Sequence, residues 1–344
     1  MKSIYFAEFA GPIEIVEIAT PTASPKGVVI KVEATGLCRS DWHAWMGHDS
    51  DITLPHVPGH ELAGVISEIG SEVSRIKIGD RVTVPFVCGC GSCEWCATGN
   101  AQVCPNQTQP GFTHWGSFAE YVAIENADFN VIDLPAEVSY EAAAALGCRF
   151  ATAFRGLKYR AKVQPDEWVV VFGCGGVGLS AIMIAKALDA KVIAVDIYGE
   201  ALDKAKALGA DFAINSREEV ALQTILTITS GGAHVGIDAL GSAETAKNSI
   251  LSLHRRGRHV QLGLLLTESG QSPIPMARVI AYELDLLGSH GMAAVDYPEL
   301  LELVRTGVLR PNQLIERTLD LASGAKALAS MAEVPQVGIT IIKP

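Results

Sequence analysis

The chain lacks any apolar run long enough to cross a membrane. A spanning helix needs roughly 18 or more apolar residues in a row, whereas the longest candidate here, residues 179–188, is shorter and contains Lys186. The N-terminus also lacks the layout of a secretory signal peptide, because Glu8 and Glu14 interrupt any apolar stretch. We therefore expect a cytoplasmic protein that has no membrane partner.

An excess of positive charge is missing as well. The formal net charge is -11 and the isoelectric point is about 5.3, whereas binding to nucleic-acid phosphates needs clustered Lys and Arg. We expect no nucleic-acid partner, although this balance places no restriction on a neutral small substrate. Charged residues make up only 19% of the chain and hydrophobic residues 49%, which argues against disorder. A length of 344 residues is enough for two domains.

The chain has eight cysteines, and the clustered ones are interpreted as metal ligands, because clustered cysteines in a reducing compartment seldom form disulfides. Four of them follow the spacing C-x2-C-x2-C-x7-C, namely Cys90, Cys93, Cys96 and Cys104. Four thiolates give zinc a closed tetrahedral site of the structural kind. The pattern predicts a zinc lobe at residues 88–104, which has too few apolar side chains to fold alone. A reduced cluster without metal is the alternative.

Two details of the lobe bear on its role. Cys88 does not fit the spacing of the other four cysteines, and we predict that it is free. The lobe contains Glu94 and no Lys or Arg between residues 88 and 104, which counts against a zinc ribbon that binds nucleic acid.

The order of the remaining elements predicts an α/β protein. Residues 1–148 are interpreted as β-rich, with strands at 28–32 and 65–69 and a loop at 42–58 that lines a site. From residue 168 onward, apolar runs alternate with helical segments such as 179–188 and 200–208, which is typical of a doubly wound parallel sheet. The runs lie at residues 168–172, 191–195, 212–214, 235–239, 259–262 and 284–287.

Three segments make up the predicted domain organisation. Residues 1–148 form a catalytic domain and residues 149–288 a Rossmann domain that binds a dinucleotide. Residues 289–344, with a helix at 298–304 and an apolar end at 338–342, return to the first domain.

A glycine-rich loop follows the apolar run 168–172 and opens a helix, as a dinucleotide site requires. The loop matches G-x-G-x-x-G, with candidate cofactor contacts at Gly173, Gly175, Gly176, Val177 and Gly178. Its backbone N–H groups would face a pyrophosphate at the helix N-terminus, although a plain tight turn is the alternative. Asp196 ends the next strand, where a carboxylate accepts hydrogen bonds from ribose hydroxyls and repels a 2′-phosphate. No Lys or Arg lies between Asp196 and Lys204, so the pattern favours NAD over NADP.

Three further segments carry a family resemblance. The run Gly59-His60-Glu61-x2-Gly64-x5-Gly70-x2-Val73 reproduces the signature of zinc-containing alcohol dehydrogenases, within the medium-chain dehydrogenase/reductase family. Residues 38–43 resemble the first zinc-ligand segment of that family, and residues 147–152 resemble the last. The resemblance covers essentially the whole chain. It implies a β-rich GroES-like catalytic domain with a zinc lobe, joined to the Rossmann domain.

The resemblance also implies the ligands of a second, catalytic zinc ion, so that each chain carries two. They are Cys38, His60 and Cys148, with Glu61 behind the metal and able to coordinate transiently. Asp41 would orient His60. Two thiolates and a neutral imidazole leave one position on the metal open, which a Lewis acid requires.

The same resemblance assigns the proton relay and two cofactor contacts. Ser40 would take the proton of the substrate hydroxyl, and His43 would pass it to solvent through the ribose. Arg39 would meet the pyrophosphate, and Thr152 would lie near the nicotinamide. The implied reaction transfers a hydride between a primary or secondary alcohol and NAD, giving an aldehyde or a ketone.

Several aromatic residues have two alternative roles. Trp42, Trp45, Trp115 and Phe150 are candidates for the substrate pocket, and ordinary core packing is the alternative for each. A bulky ring at Trp45 would favour small alcohols. His290 follows the last predicted strand and is a weak candidate for a cofactor contact.

Three other functions fit these residues less well. A binding or lens-type structural protein would have lost catalytic ligands or the relay, and a quinone reductase of the same superfamily would lack the zinc ligands. A polyol dehydrogenase typically carries Glu where this chain has Cys148. We expect a homotetramer, with a dimer as the alternative, because the link from Cys104 to Cys148 is short and a strand at 279–287 could pair across a two-fold axis.

Overall fold

The computed structural model describes residues 1–265, 274–333 and 337–344. The chain divides into two compact units, the first formed by residues 1–151 and 291–344 and the second by residues 152–290. The predicted domain boundaries were placed at 148/149 and 288/289. Within the described ranges, no helix combines the length and the hydrophobicity that a membrane crossing requires.

The strands and helices are numbered in chain order. The strands are β1 (Lys2–Tyr5), β2 (Glu14–Glu17), β3 (Val28–Leu37), β4 (Glu61–Ile69), β5 (Arg81–Thr83), β6 (Tyr121–Ile124), β7 (Ile132–Asp133), β8 (Trp168–Phe172), β9 (Lys191–Asp196), β10 (Phe212–Asn215), β11 (Ala233–Asp238), β12 (Leu253–Gln261), β13 (Asp285–Gly288), β14 (Ile315–Leu319) and β15 (Ile339–Ile342). The α-helices are α1 (Arg39–Trp45), α2 (Glu94–Ala97), α3 (Ala127–Asn130), α4 (Tyr140–Ala145), α5 (Ala151–Phe154), α6 (Gly176–Ala187), α7 (Gly199–Ala207), α8 (Ala221–Ile228), α9 (Ala243–Leu251), α10 (Met276–Tyr282), α11 (Tyr297–Arg305) and α12 (Leu321–Ala329). Short 3-10 helices lie at Ala101–Val103, Ala294–Asp296 and Pro311–Leu314, and π-helical turns lie at Leu146–Phe150 and Arg155–Arg160.

The first unit is built on a seven-stranded sheet. Its order is β14-β15-β3-β4-β5-β7, and β6 pairs with β3 beside this path. Val28, Ile30 and Val32 alternate along β3 and are buried in one cluster with residues of β4, as the two-residue period of a strand predicts. The β-rich, GroES-like fold predicted for this part of the chain is confirmed.

The register between β3 and β4 brings distant parts of the sequence together. The two strands are antiparallel, and Gly36 lies opposite Glu61. The end of β3 is therefore next to the start of β4, which places Cys38 beside His60.

The prediction of a loop at residues 42–58 is wrong for its first residues, which are helical. Residues 39–45 form α1, a helix of 7 residues that starts after Cys38. The side chain of Asp41, at the third helical position, accepts a hydrogen bond from the Cys38 backbone N–H at 2.8 Å, which stabilises the first turn. A helix this short does not produce a recognisable hydrophobic period, so the sequence pattern missed it.

The second unit is a six-stranded parallel sheet of order β10-β9-β8-β11-β12-β13. The chain starts in the middle at β8, winds outward to β10, and returns to wind through β11 to β13. This doubly wound Rossmann arrangement confirms the predicted fold class. The core contains Val170 and Phe172 from β8 and Ile193 and Val195 from the neighbouring β9.

The predicted strand at 279–287 is half wrong. Its first part belongs to α10, and only Asp285–Gly288 is a strand, β13, at the edge of the sheet. Val279 and Tyr282, one helical turn apart, pack on Ile250 and Leu253, and this burial selects a helix over an apolar run that strand propensity alone would allow. Glu283 adopts a left-handed conformation with φ of 48° and ends the helix.

Candidate functional site

Four potential metal ligands meet in the first unit. Cys38, His60, Glu61 and Cys148 each offer one ligand atom, and these atoms lie within 4.8 Å of one another. Cys38 precedes α1, His60 and Glu61 lie at the start of β4, and Cys148 lies in the π-helical turn Leu146–Phe150. The structure therefore brings together the three segments that only the resemblance had joined.

Asp41 fixes the orientation of His60. One carboxylate oxygen of the fully buried Asp41 lies 2.8 Å from His60 Nδ1 and accepts the Gly59 N–H at 3.1 Å. His60 is also fully buried, and its other ring nitrogen, Nε2, makes no hydrogen bond within the described part of the chain. A buried nitrogen without a partner is unfavourable, whereas a metal ion bound at Nε2 would satisfy it. This geometry fits a bound metal ion.

The two thiols of the cluster support the same conclusion. A hydrogen bond with Cys148 holds the pKa of Cys38 well below its usual range, while the same contact and burial hold the pKa of Cys148 well above its own. Of the two thiols, Cys38 therefore ionises more readily. A divalent cation would allow both thiolates to form, and sulfur with imidazole is a ligand set that zinc prefers.

The second cluster is the four-cysteine lobe. Cys90, Cys93, Cys96 and Cys104 place their sulfur atoms within 4.8 Å of one another, and none forms a disulfide. Backbone N–H groups point at two of these sulfurs, from Cys96 to Cys93 at 3.5 Å and from Asn106 to Cys104 at 3.3 Å. Such N–H···S contacts stabilise thiolates, so the lobe is arranged for a metal ion with four sulfur ligands.

The thiols of the lobe differ in how readily they ionise. Hydrogen bonds from Ser92 and from the Cys93 backbone lower the pKa of Cys90 to about 6, whereas burial raises the pKa of Cys96 to about 12. The Cys90 thiolate therefore forms readily, whereas Cys96 resists ionisation. Cys88 lies apart from these four cysteines. It is in the core of the first unit, where burial raises its pKa to about 12.

The predicted relay and cofactor residues of the first unit lie on α1. Ser40 Oγ is 3.7 Å from Cys38 Sγ, and His43 Nδ1 is 2.9 Å from His48 Nδ1. The guanidinium of Arg39 donates a hydrogen bond to the Met331 carbonyl at 2.9 Å.

The glycine-rich loop lies in the second unit, between β8 and α6. The space that a Cβ atom would occupy at Gly175 is open, with nothing within 4 Å. At Gly178 a Cβ atom would come within 1.8 Å of the Gly173 carbonyl oxygen, so close packing of helix against strand requires glycine there. The open cradle at the helix N-terminus fits a pyrophosphate.

Asp196 ends β9 beside this loop. Its Oδ2 accepts the Cys174 N–H at 2.6 Å, and its Oδ1 accepts the N–H groups of Ile197 at 2.7 Å and Tyr198 at 3.0 Å. Since a carboxylate offers about four lone-pair positions, Asp196 retains little acceptor capacity beyond these bonds. Its negative charge is nevertheless held at the end of the strand.

Comparison with known proteins decides the family. Residues 24–136 match the model of the alcohol dehydrogenase GroES-like domain, and residues 176–306 match that of the zinc-binding dehydrogenases. An alcohol dehydrogenase of Geobacillus stearothermophilus is 34% identical over 90% of both chains, and an NAD-dependent alcohol dehydrogenase of Sulfurisphaera tokodaii is 30% identical over 100% of both. A solved structure of a cobalt- and zinc-bound alcohol dehydrogenase from Pyrobaculum aerophilum is 28% identical, with a TM-score of 0.87 over 100% of this chain and 99% of that one.

The chain belongs to the zinc-containing alcohol dehydrogenases. The predicted family, the reaction class and the cofactors, zinc and NAD, are confirmed. The two cysteine-containing clusters are the candidate zinc sites of this dehydrogenase.

The sequence analysis missed the partner of Glu61. The buried Arg149 forms an ion pair with the Glu61 carboxylate through Nη2 and donates through Nε at 3.1 Å. The backbone N–H of Cys148 donates to the same carboxylate at 3.0 Å. Burial raises the pKa of Glu61, and Arg149 opposes that shift. The sequence shows that Arg149 follows the predicted ligand Cys148, but it does not show that the Arg149 side chain points toward Glu61.

The aromatic side chains beside His60 were missed too. The ring centroids of Phe112 and Phe86 lie 5.0 and 5.9 Å from that of His60. Of the predicted pocket residues, Phe150 is fully buried in the core, and Trp45 packs among Phe6, Ala44, Ile52 and Phe112. Trp42 stacks on the guanidinium of Arg39 at 4.3 Å, and Trp115 donates to the Pro55 carbonyl at 3.1 Å.

In the second unit, a cation approaches the segment after Asp196. Arg217, which follows β10, places its guanidinium carbon 5.2 Å from the ring centre of Tyr198. The sequence prediction of NAD preference considered cations only up to Lys204 and therefore missed Arg217. Neighbouring parallel strands end at the same edge of the sheet, which brings this more distant residue close to Tyr198. Thr152 is buried and its carbonyl accepts a hydrogen bond from Ser289 at 2.9 Å, while His290 is exposed.

Replacement of Arg149 should reveal how much the buried ion pair contributes. We expect Arg149→Met to lower the free energy of unfolding by about 3–5 kcal/mol, because it leaves the Glu61 carboxylate buried without its cation. Arg256→Met is the matched control: it breaks the exposed pair with Glu283 and should change stability by about 1 kcal/mol or less. Denaturant unfolding measures both variants, and equal losses would contradict the role of burial.

Proposed function

We propose that Cys38, His60 and Cys148 hold the catalytic zinc ion of an NAD-linked dehydrogenase for small primary or secondary alcohols. The observation that carries this assignment is the orphaned Nε2 of the buried His60, which lies with two thiols in one 4.8 Å cluster. When bound, zinc would act as a Lewis acid on an alcohol oxygen and NAD would accept the hydride. The residues of the chain supply the rest of the chemistry.

Asp41 acts by orienting a ligand. Its contact with His60 Nδ1 leaves Nε2 as the ligand atom, and its bond to the Cys38 N–H holds the neighbouring thiolate in the same site. The Glu61 carboxylate is neutralised by Arg149, so two thiolates and a neutral imidazole would balance the charge of a divalent zinc ion. The transient coordination implied for Glu61 would require this ion pair to open.

Ser40 and His43 handle the substrate proton. They are three residues apart on α1 and therefore lie on one face of the helix. Ser40 would accept the hydroxyl proton of the alcohol while its own hydroxyl proton passes through the ribose to His43, on the way to solvent. Burial lowers the pKa of His43, with Arg39 and His48 acting in the same direction, which favours release of the proton from this ring.

The cofactor contacts follow the glycine-rich loop. Gly173, Gly175 and Gly176 with Val177 and Gly178 bind the pyrophosphate at the start of α6, and Asp196 faces the ribose. Arg39 and Thr152 complete the set as contacts to the pyrophosphate and the nicotinamide. The cysteine lobe holds the second, structural zinc ion.

The aromatic rings next to His60 favour a small apolar alcohol. Phe86 and Phe112 flank the imidazole and offer no hydrogen-bonding group to additional hydroxyls. A panel of primary, secondary, aromatic and polyhydroxylated alcohols, assayed with NAD, tests the proposal. A polyol dehydrogenase would instead give its highest kcat/KM with the polyhydroxylated substrates, and that result would overturn the assignment.

The two zinc sites should respond in opposite ways to loss of one thiolate. Cys148→Ser should reduce turnover per folded chain by about 100-fold or more, because it removes a ligand of the Lewis acid, while the fold persists. Cys96→Ser should instead lower the melting temperature, since the lobe has little core of its own, with turnover retained in the folded fraction. Metal analysis should find two zinc ions in the unmodified chain and about one in each variant.

The control for this experiment is Cys88→Ser, which should leave both metal content and turnover unchanged. Near-normal turnover of Cys148→Ser, combined with an inactive but stable Cys96→Ser, would reverse the assignment of the two sites.

Asp196 should determine cofactor preference, with Arg217 as the cation that its removal unmasks. Asp196→Ala should raise kcat/KM for NADP relative to NAD about tenfold, equivalent to roughly 1.4 kcal/mol of removed repulsion. The double variant with Arg217→Ala should lose most of that gain, because no guanidinium would then remain beside Tyr198 to meet a 2′-phosphate. Equal use of both cofactors by the unmodified protein would disprove the argument from Asp196.

A homotetramer is the proposed assembly, with a dimer as the alternative. Strand β13 ends the parallel sheet, so its outer edge is available for pairing with a second copy. Apolar side chains are exposed nearby, including Leu286 on β13 and Met276 and Ile280 on α10. We place the protein in the cytoplasm, since its eight cysteines are free thiols.

A charge on this edge should dissociate the assembly. We expect Leu286→Lys to reduce the mass measured by light scattering at least by half, because a buried, unpaired ammonium group destabilises an interface. Val220→Lys is the matched control, since Val220 is an exposed apolar residue at the start of α8 in the same unit and should leave the mass unchanged. An unchanged mass for Leu286→Lys would exclude β13 from the interface.

A further inference from the structure

Helix α1 ends in a turn that sets two histidines side by side. The N–H of Gly47 donates to the Ala44 carbonyl at 3.1 Å, and the N–H of His48 donates to the His43 carbonyl at 3.0 Å. Gly47 is left-handed, with φ of 75°. These two bonds and the left-handed glycine define a Schellman motif, which characteristically packs the side chain after the glycine on one in the last helical turn.

In this protein the two side chains brought together are both imidazoles. His43 Nδ1 and His48 Nδ1 are 2.9 Å apart. The edge of Trp42 supports both rings, with centroids 5.1 Å from His43 and 5.6 Å from His48. A Cβ atom at Gly47 would lie 2.9 Å from the Phe9 ring, so the turn accepts only glycine and the pair is held in place.

The hydrogen bond between the rings requires opposite roles of the two nitrogens. One Nδ1 must carry a proton and donate it, and the other must accept. His43 is half-buried, whereas His48 is exposed. The pair therefore leads from a sheltered imidazole to one that reaches water.

We propose that His48 carries the substrate proton from His43 to solvent. The proposal rests on the relay of Ser40 and His43 in the proposed function. A proton arriving at Nε2 of His43 is matched by transfer of the Nδ1 proton of His43 to Nδ1 of His48. His48 then releases its Nε2 proton to water or to a buffer base, so each ring ends as its other neutral tautomer. Exchange with water restores the starting tautomers.

The charges around His43 suit this role. Burial lowers the pKa of His43, Arg39 and His48 lower it further, and Cys38 acts in the opposite direction. Arg39 and Cys38 lie at the beginning of α1 and His48 lies just after its end. The proton is thus held weakly on the inner ring and moves outward, where hydration stabilises it. His48 does not contact the substrate and acts through His43.

The test follows proton release directly, in the zinc-loaded full-length protein with NAD and an alcohol. A stopped-flow instrument records NADH absorbance together with a pH indicator at low buffer concentration. In His48→Phe, the rate constant of proton release should fall about tenfold below that of NADH formation. This effect is smaller than the roughly 100-fold effect of removing a group that contacts the reacting atoms. His48→Gln keeps a hydrogen-bonding side chain without a relay and should show the same lag. Added imidazole should abolish the lag in both variants.

The matched control is His254→Phe. His254 also packs edge-on against a histidine, His234, with ring centroids 4.4 Å apart, and its replacement should cause no lag. In a His43→Gln background, His48→Phe should add nothing, because the two residues act in series.

Each other outcome would overturn the proposal. Simultaneous proton release and NADH formation in His48→Phe would exclude His48 from the path. A lag that imidazole does not relieve, together with a lower melting temperature, would make its role structural. A lag in His43→Gln without one in His48→Phe would overturn the place of His48 alone. Absence of a lag in His43→Gln would overturn the relay of the proposed function as well.

Discussion

The buried carboxylate of Asp41 connects the parts of the metal site that come from different segments. It accepts the N–H of Cys38, the N–H of Gly59 and a contact from His60 Nδ1, all between 2.8 and 3.1 Å. A fully buried carboxylate is strongly unfavourable unless such partners satisfy it. The same three contacts start α1, shape the turn before β4 and direct His60 Nε2 toward the thiols. Helix formation and metal-site geometry therefore depend on one side chain.

A second buried carboxylate joins the third ligand segment to this arrangement. Glu61 follows His60 on β4 and receives the backbone N–H groups of Cys148 and Arg149, with the guanidinium of Arg149. The ion pair is neutral as a whole, so it adds no net charge to a site that already contains two thiols. Because the pair is buried, loss of either partner would leave an unpaired charge in the interior and destabilise the protein. The position of Cys148 thus follows from an electrostatic contact between residues that are 88 positions apart in the sequence.

Charge and burial also separate the two clusters chemically. The site of Cys38, His60 and Cys148 combines sulfur with an imidazole, which leaves a metal ion formally neutral and open to substrate. The lobe surrounds its site with four sulfur atoms and closes it. The helix that carries Ser40 and His43 begins at the first site and ends at the His43–His48 pair. A segment of eleven residues, from Cys38 to His48, therefore links the candidate ligand Cys38 to the protein surface.

Local spacing in the sequence by itself determined the glycine-rich loop after β8, the four-cysteine lobe and the alternation of strands and helices in the second unit. These features depend on residues that are neighbours along the chain, for which period and spacing are sufficient. Tertiary structure decided the rest. Cys38 and His60 meet because β3 and β4 pair with Gly36 opposite Glu61, and Cys148 joins them through the hydrogen bond of its N–H to Glu61. Sequence spacing reveals neither contact, and only the family resemblance had grouped the three residues. The contacts of Arg149 with Glu61 and of Arg217 with Tyr198 join residues that are distant in the sequence. The helix in place of the first half of the predicted strand 279–287 packs on Ile250 and Leu253, and this packing outweighs local preference.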